Sequence, residues 1–408
     1  MNYNFLPINN ILITLIVLLP IGLLIGTAVS EIIVILLVFF FLINSTRKNN
    51  FNWIKNKYFS LLVIFWFGLI INFIFSNNQE LSLFRSFGFI KYIIYICVIN
   101  DLLNKNKNIK ILFIFLSLIV LLTTFDIYFE YINKKNILGL QSSDPTRIAS
   151  FLGNELKIGH FLLGFCLISI GYYFERFKNK SYVFIITGYV LVLLILISIY
   201  LTGERSNSIK AFICIFTFII LTNNNIKYKK ILLTILIVLP IIVYFGSERI
   251  KGRFDMYLSK EHGNDNIIKA FKNTHHGAHY YTAFEIFKSY PIFGVGNKNF
   301  REECLNEKYN NKSFTRINER CSTHPHQIYL ELLAEHGIFG SVIILFVIFY
   351  SVFKSFINFF KKNNLVQLGA ILFVTSNFIP LIPSGSFFTS FDATIFWFNY
   401  AIMVSYNK

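Results

Sequence analysis

Charge is what this sequence has least of for its size. Asp, Glu, Lys and Arg make up 14% of the 408 residues while 55% are hydrophobic, more apolar side chain than a soluble core can use, which points to a bilayer as the solvent. A cleavable signal peptide with a small-residue cut site is absent, so the first apolar run, about Ile8 to Val29, reads as an uncleaved first span. There is no glycine-rich phosphate loop and no Asp-x-Asp pair for a nucleotide-bound metal. No low-complexity tract occurs, and no internal repeat suggests a transporter built from duplicated halves. A formal charge of +17 would suit nucleic acid if it were pooled. It is not pooled: lysines sit in short clusters between apolar runs, the distribution of a membrane protein with no nucleic-acid partner.

Apolar runs long enough to span recur along the whole chain. At roughly 17–25 residues per span they predict an all-α polytopic membrane protein of about twelve transmembrane helices. The runs lie near 8–28, 31–44, 58–76, 82–100, 110–129, 158–175, 181–201, 208–222, 230–246, 337–353, 365–381 and 389–405. The second is short and follows the first closely, as in a tight hairpin. Basic residues fix the orientation. Arg47, Lys48, Lys55 and Lys57, then Lys105, Lys107 and Lys110, then Arg176, Lys178 and Lys180, then Lys227, Lys229 and Lys230, then Lys354, Lys361 and Lys362 occupy alternate connections. That face is expected to be cytoplasmic, with both termini on it. The opposite face receives Asp144–Lys157, Thr202–Asn207 and the long segment Ser247–Pro325. The chain divides into N-terminal spans (1–135), spans bearing outer-face arginines (136–246), a long outer loop with short helices (247–336) and C-terminal spans (337–408).

Four segments on that outer face carry candidate chemistry. Thr323-His-Pro-His-Gln-Ile-Tyr-Leu-Glu-Leu-Leu-Ala-Glu-His-Gly-Ile-Phe-Gly340 opens a helical run at His326 and Gln327, and Gly337 and Gly340 mark a break before the tenth span. A neutral imidazole can accept a proton from a poor nucleophile near neutral pH; capping a helix is its plainer use. Pro291-Ile-Phe-Gly-Val-Gly-Asn-Lys-Asn-Phe-Arg301 offers backbone amides that, with Lys298 and Arg301, could hold an anion; its plainer use is a loop turn. Thr202-Gly-Glu-Arg-Ser206 places Arg205, a planar guanidinium suited to phosphate oxygens, at the outer end of the seventh span beside Glu204. An arginine there can also simply reach to headgroups. Arg147-Ile-Ala-Ser-Phe-Leu-Gly-Asn-Glu-Leu-Lys-Ile-Gly159 supplies a second candidate phosphate ligand in Arg147. Arg85 and Lys91, in the outer half of the fourth span, could line a lipid-phosphate path.

Together these segments resemble the O-antigen ligase and polymerase family. That family carries a His, then Asn, Ser or Gln, nine residues and Gly-x-x-Gly, which fits His326, Gln327, Gly337 and Gly340. The second segment is similar to its Pro-x-x-Gly-x-Gly motif, and Arg205 to its characteristic arginine. Glu204 stands where most members have a small residue, although a subgroup carries Gly-Glu-Arg and also resembles the Arg147–Gly159 stretch. The resemblance covers about Arg147 to Gly340 and implies a GT-C-like membrane glycosyltransferase without cofactor or metal. The donor would be an undecaprenyl-pyrophosphate-linked glycan, and the acceptor a sugar hydroxyl on lipid A-core or on another lipid-linked repeat. His326 would be the base, with Arg205, Arg147, Glu204, His279, Lys298, Arg301 and His324 around the substrates, at the periplasmic face of a bacterial inner membrane.

The sequence departs from the family at one point. Where ligases have a second essential arginine roughly fifty residues before the histidine, this chain has His275, His276 and His279. His275 and His279 would share a helix face, though Gly277 weakens that helix and no carboxylate follows as in zinc hydrolases. Cys97, Cys166 and Cys214 fall in spans as packing residues. Cys304 and Cys321 fall in the outer loop, where a disulfide is expected to pin the chain ahead of His326. A polysaccharide or lipid transporter and a protein O-glycosylating ligase are the competing readings. The transporter predicts broken helices and polar residues at the membrane midplane, whereas these motifs gather at one face.

Overall fold

The computed structural model describes residues 8–105, 109–178, 180–222, 226–258 and 271–407. Lys107 of the basic clusters and 259–270 of the long outer segment lie outside the described residues. Among the described residues the regular structure is entirely helical. The helices are α1 (Ile8–Ile25), α2 (Thr27–Arg47), α3 (Lys57–Ile74), α4 (Gln79–Gly88), α5 (Ile90–Lys105), α6 (Lys110–Asn133), α7 (Ile158–Phe177) and α8 (Tyr182–Leu201). They continue with α9 (Arg205–Leu221), α10 (Ile226–Gly246), α11 (Glu248–Leu258), α12 (His275–Ser289), α13 (Phe300–Glu303), α14 (Ile328–Lys362), α15 (Leu365–Ser376) and α16 (Ser390–Ser405).

Among the described residues nine helices are long and apolar enough to cross a membrane, with α4 and α5 forming one bent span. The protein is a multi-pass membrane protein. Helices α9, α15 and α16 stand where three more spans are expected but have 17, 12 and 16 residues. At 1.5 Å per residue α15 reaches only about 18 Å; almost all of it and of α16 is buried by neighbouring helices.

Polar residues set where the helices start. Asn56, Asn78, Thr274, Gln327 and Asn364 each accept from a backbone amide of the first turn of the helix that follows, satisfying donors that the bilayer cannot. The centre of the bundle is α7, the most enclosed of the nine spans. Its glycines admit the neighbouring backbone: a Cβ on Gly171 would lie 2.3 Å from the Leu365 carbonyl, and one on Gly369 of α15 would lie 2.3 Å from that of Leu167. Such close approach is how helices gain packing in lipid, where the hydrophobic effect offers little. Outer helices such as α10 instead expose Ile231, Ile237, Ile241 and Phe245.

Helix α12 runs through Gly277, where Lys272 and the Phe271 carbonyl pack in the space of a side chain. The break expected before the tenth span is present: α14 starts at Ile328 but leaves helical geometry at Gly337 (φ 60°, ψ −166°), where two helical runs meet at a kink.

Candidate active site

The two glycine motifs meet each other. Gly294 lies against the backbone of Glu335, and Gly337 against that of Ile292, so that an added Cβ would come within 2.4 and 2.3 Å. The segments are joined by Val295 N to Ala334 O (3.0 Å), Gly296 N to Glu335 O (2.9 Å), Ile338 N to Pro291 O (2.8 Å) and Phe339 N to Ile292 O (3.1 Å). Asn72 of α3 donates to the Phe293 and Glu335 carbonyls and accepts from Asn297 N. The buried Glu335 carboxylate accepts from Lys298 N (2.9 Å) and Phe300 N (3.2 Å). The remaining amides of the stretch, Gly294 and Asn299, donate to Tyr290 O and Gly296 O. Every amide from Gly294 to Phe300 is therefore occupied, and the expectation that they cradle an anion is corrected. The glycines are there because two backbones touch.

This clasp sets the start of α14 and with it His326. Gln327 caps the helix, and His326 lies at φ 60°, a left-handed conformation rare for a side chain of this size. It is held there by Ser384 N donating to its carbonyl at 2.9 Å, with the Tyr280 hydroxyl at 3.4 Å. Its Nε2 is 3.0 Å from Ser322 Oγ.

Around His326 the fold collects the histidines that sequence left apart. Ring centroids lie 4.1 Å away for His324, 5.3 Å for His279 and 5.5 Å for His276, with His275 4.1 Å from His276. Burial, then the neighbouring imidazoles, pushes His326 and His279 down to about 4, and the same causes push His276 and His324 down to about 3. The rings are neutral near pH 7, so His326 can accept a proton there. Among the described residues no group of His, Cys, Asp or Glu is placed to hold a metal ion.

An arginine cluster flanks the histidines. Ile148 N donates to Thr202 O at 3.2 Å, which lays the Arg147 loop beside Thr202–Arg205. Glu204 is buried and accepts from Gly159 N (2.7 Å) and Asn207 Nδ2 (2.6 Å), with Arg147 at 3.9 Å. Burial raises its carboxyl against the pull of Arg147. Glu204 is thus a brace between α7, α9 and Arg147. Arg205 Nη1 donates to Arg253 O at 2.9 Å, and Arg205 acts electrostatically on His275 and His276. Sequence reasoning missed two members here. Arg249 donates to the Arg147 carbonyl, and Arg253 pairs with Asp144 at 3.8 Å. Their i, i+4 spacing on α11, in a basic segment, was the available signal. Ile209 and Phe212 of α9, the helix that begins with Arg205, and Pro240, Ile241 and Phe245 of α10 line an apolar groove of about 400 Å³.

The other expected residues are placed as follows. Lys298 (φ 70°) and Arg301 lie behind the glycine clasp, Arg301 reaching Thr323 O at 3.4 Å. Lys91 is turned away, ion-paired with Glu31 of α2. Cys304 and Cys321 are joined in a disulfide, Cα to Cα 5.3 Å, and Cys97, Cys166 and Cys214 are buried and free. Glu331, Glu335 and His336, all buried at the head of α14, were also missed; three ionisable residues in the apolar first turns of the helix were the signal.

Residues 189–347 match the family model described as O-antigen ligase. The match takes in Arg205, the α12 histidines, the glycine clasp and His326, and stops short of Arg147. No curated protein matches the chain.

Proposed function

Proceeding from an O-antigen ligase family domain over residues 189–347, we propose that this protein transfers a glycan from undecaprenyl pyrophosphate to an acceptor sugar hydroxyl at the periplasmic face of a bacterial inner membrane. The observation that carries this reading is a neutral, strained His326 beside an arginine cluster, with an apolar groove along the same helix, α9, that begins with Arg205. The prenyl chain would lie in the groove and the pyrophosphate against Arg205 and Arg147, where planar guanidinium groups match its oxygens. The acceptor oxygen attacks the anomeric carbon as the bond from that carbon to the pyrophosphate oxygen breaks. The electron pair leaves with the lipid pyrophosphate, whose charge the arginines stabilise. The hydroxyl proton passes to His326. When Nε2–H donates to Ser322 Oγ, the lone pair that takes the proton is on Nδ1. His279 stacks on His326.

The test is complementation of a deletion strain, with lipid-linked and mature glycans resolved on a gel. His326→Ala should lose about 10²–10⁴ in rate and let donor accumulate on its lipid carrier at normal protein levels. Arg205→Lys should fail as well, because an ammonium keeps the charge but not the fork. Wild-type glycan from His326→Ala at matched protein level would end the base assignment.

A further inference from the structure

The turn that holds His326 is itself held, by a carboxylate that the transfer step above does not use. The carbonyl of His326 accepts from Ser384 N at 2.9 Å. Ser384 belongs to the connection between α15 and α16, beyond the residues that match the family model. One turn into α14, Glu331 is fully buried and directs both carboxylate oxygens at that connection. One accepts from Ser386 Oγ, the other from Phe387 N at 3.0 Å. On its other side the turn lies against Asp392 of α16. A Cβ on Gly385 would come 2.7 Å from both oxygens of that carboxylate, which also accepts from Thr389 Oγ1 at 2.5 Å and lies 3.3 Å from His160 Nε2 of α7. The void left among His160, Ser384, Gly385, Ser386 and Asp392 is about 10 Å³, room for no more than about one water. The turn is therefore clamped between α14 and α16. A residue with a side chain stays at φ 60° only where its surroundings over-determine it, and for His326 those surroundings include this turn. A carboxylate suits the clamp: it only accepts, it does so at two oxygens, and its charge-assisted bonds are the strong kind.

We infer that Glu331 is a positioning residue. Through the Ser384–Phe387 turn it holds the His326 backbone left-handed and so aims the imidazole at the acceptor hydroxyl. The inference rests on the transferase reading and adds to it a residue that acts on the chemistry only through His326. The competing explanation is charge. Arg85 acts electrostatically on Glu331, and a counter-charge to that arginine would need a carboxylate but no turn.

Glu331→Ala, Glu331→Gln and Ser386→Ala in the purified full-length protein separate the two. Glutamine can accept from Phe387 N with Oε1 and donate from Nε2 to Ser386 Oγ, so it keeps the clamp and removes the charge. In transfer assays Glu331→Ala should lower kcat about 10²-fold and leave both KM values unchanged, because a general base acts in the transition state. Glu331→Gln should recover most of that rate. Ser386→Ala, which keeps the Phe387 bond, should lose less, and it carries the same comparisons if Glu331→Ala does not fold. In a His326→Ala background Glu331→Ala should cost nothing further, since residues that act as a unit are not additive. Equal losses in Glu331→Gln and Glu331→Ala overturn the proposal in favour of charge. An unchanged kcat in Glu331→Ala, or the same loss with and without His326, overturns it too. Carbethoxylation of His326 by diethyl pyrocarbonate, located by peptide mass spectrometry, reads the clamp without turnover. The reaction should be faster in Glu331→Ala and return to the wild-type rate in Glu331→Gln; an unchanged rate in Glu331→Ala refutes the clamp even where transfer is impaired. If wild type transfers to no acceptor while His326 is unmasked in Glu331→Ala alone, the transferase reading falls and the clamp stands.

Discussion

Replacing Gly337 by alanine should damage the fold, not the binding of a substrate. Its φ of 60° with ψ −166° is a region that only glycine occupies comfortably, at a cost of about 1–3 kcal/mol for any other residue. The new Cβ would sit 2.3 Å from the Ile292 carbonyl oxygen and 2.7 Å from Gly294 N. Both are backbone atoms that cannot swing aside, and overpacking of this kind costs about 1–3 kcal/mol more. Relief requires the segments to part, which strains the bonds from Ile338 N and Phe339 N to Pro291 and Ile292, each contributing about 0.5–1.5 kcal/mol. The loss is at least about 3 kcal/mol even at the low end of each effect. Gly246→Ala is the control, since no atom lies within 4 Å of its added Cβ. Thermal melting of the detergent-solubilised protein, read by fluorescence size-exclusion, should show a clear drop for Gly337→Ala and none for Gly246→Ala. If Gly337→Ala melts with wild type and only its substrate KM rises, the glycines serve a ligand and the clasp argument is wrong.

Acidification from pH 6.5 to 4 should destabilise the protein through its buried histidines. The folded pKa values of about 3–4 at His276, His279, His324 and His326 lie below the unfolded value of about 6.5. Between pH 6.5 and 4 the unfolded chain therefore binds more protons. The contribution is full above pH 6.5 and falls on acidification by up to about 1.4 kcal/mol per pH unit for each histidine; a melting temperature flat from pH 7.5 to 5 would contradict this. Reducing the Cys304–Cys321 disulfide should cost about 3 kcal/mol on the chain-entropy estimate. Thiol labelling of both cysteines without reductant would show that the bridge does not form.

Much of the architecture was legible in the sequence, because a bilayer imposes a simple rule: every span must be a helix of a minimum apolar length. The α1–α2 hairpin and the spans around α7 follow from that rule. The glycine spacing that marked His326 was legible as well, but its purpose was not. Whether an amide faces a ligand or another backbone depends on which segment arrives opposite, and here the Pro291–Arg301 turn meets the head of α14. Only the tertiary structure places α12 against Thr323–Gln327, bringing five histidines around one point and holding them neutral by burial. It alone gives Glu204 a bracing role and adds Arg249 and Arg253 from α11. Those residues lie up to a few hundred positions apart. Hydropathy reports how far a residue sits from water, whereas the meeting of two side chains is settled by helix packing, which in lipid depends on a few small residues such as Gly171, Gly294, Gly337 and Gly369.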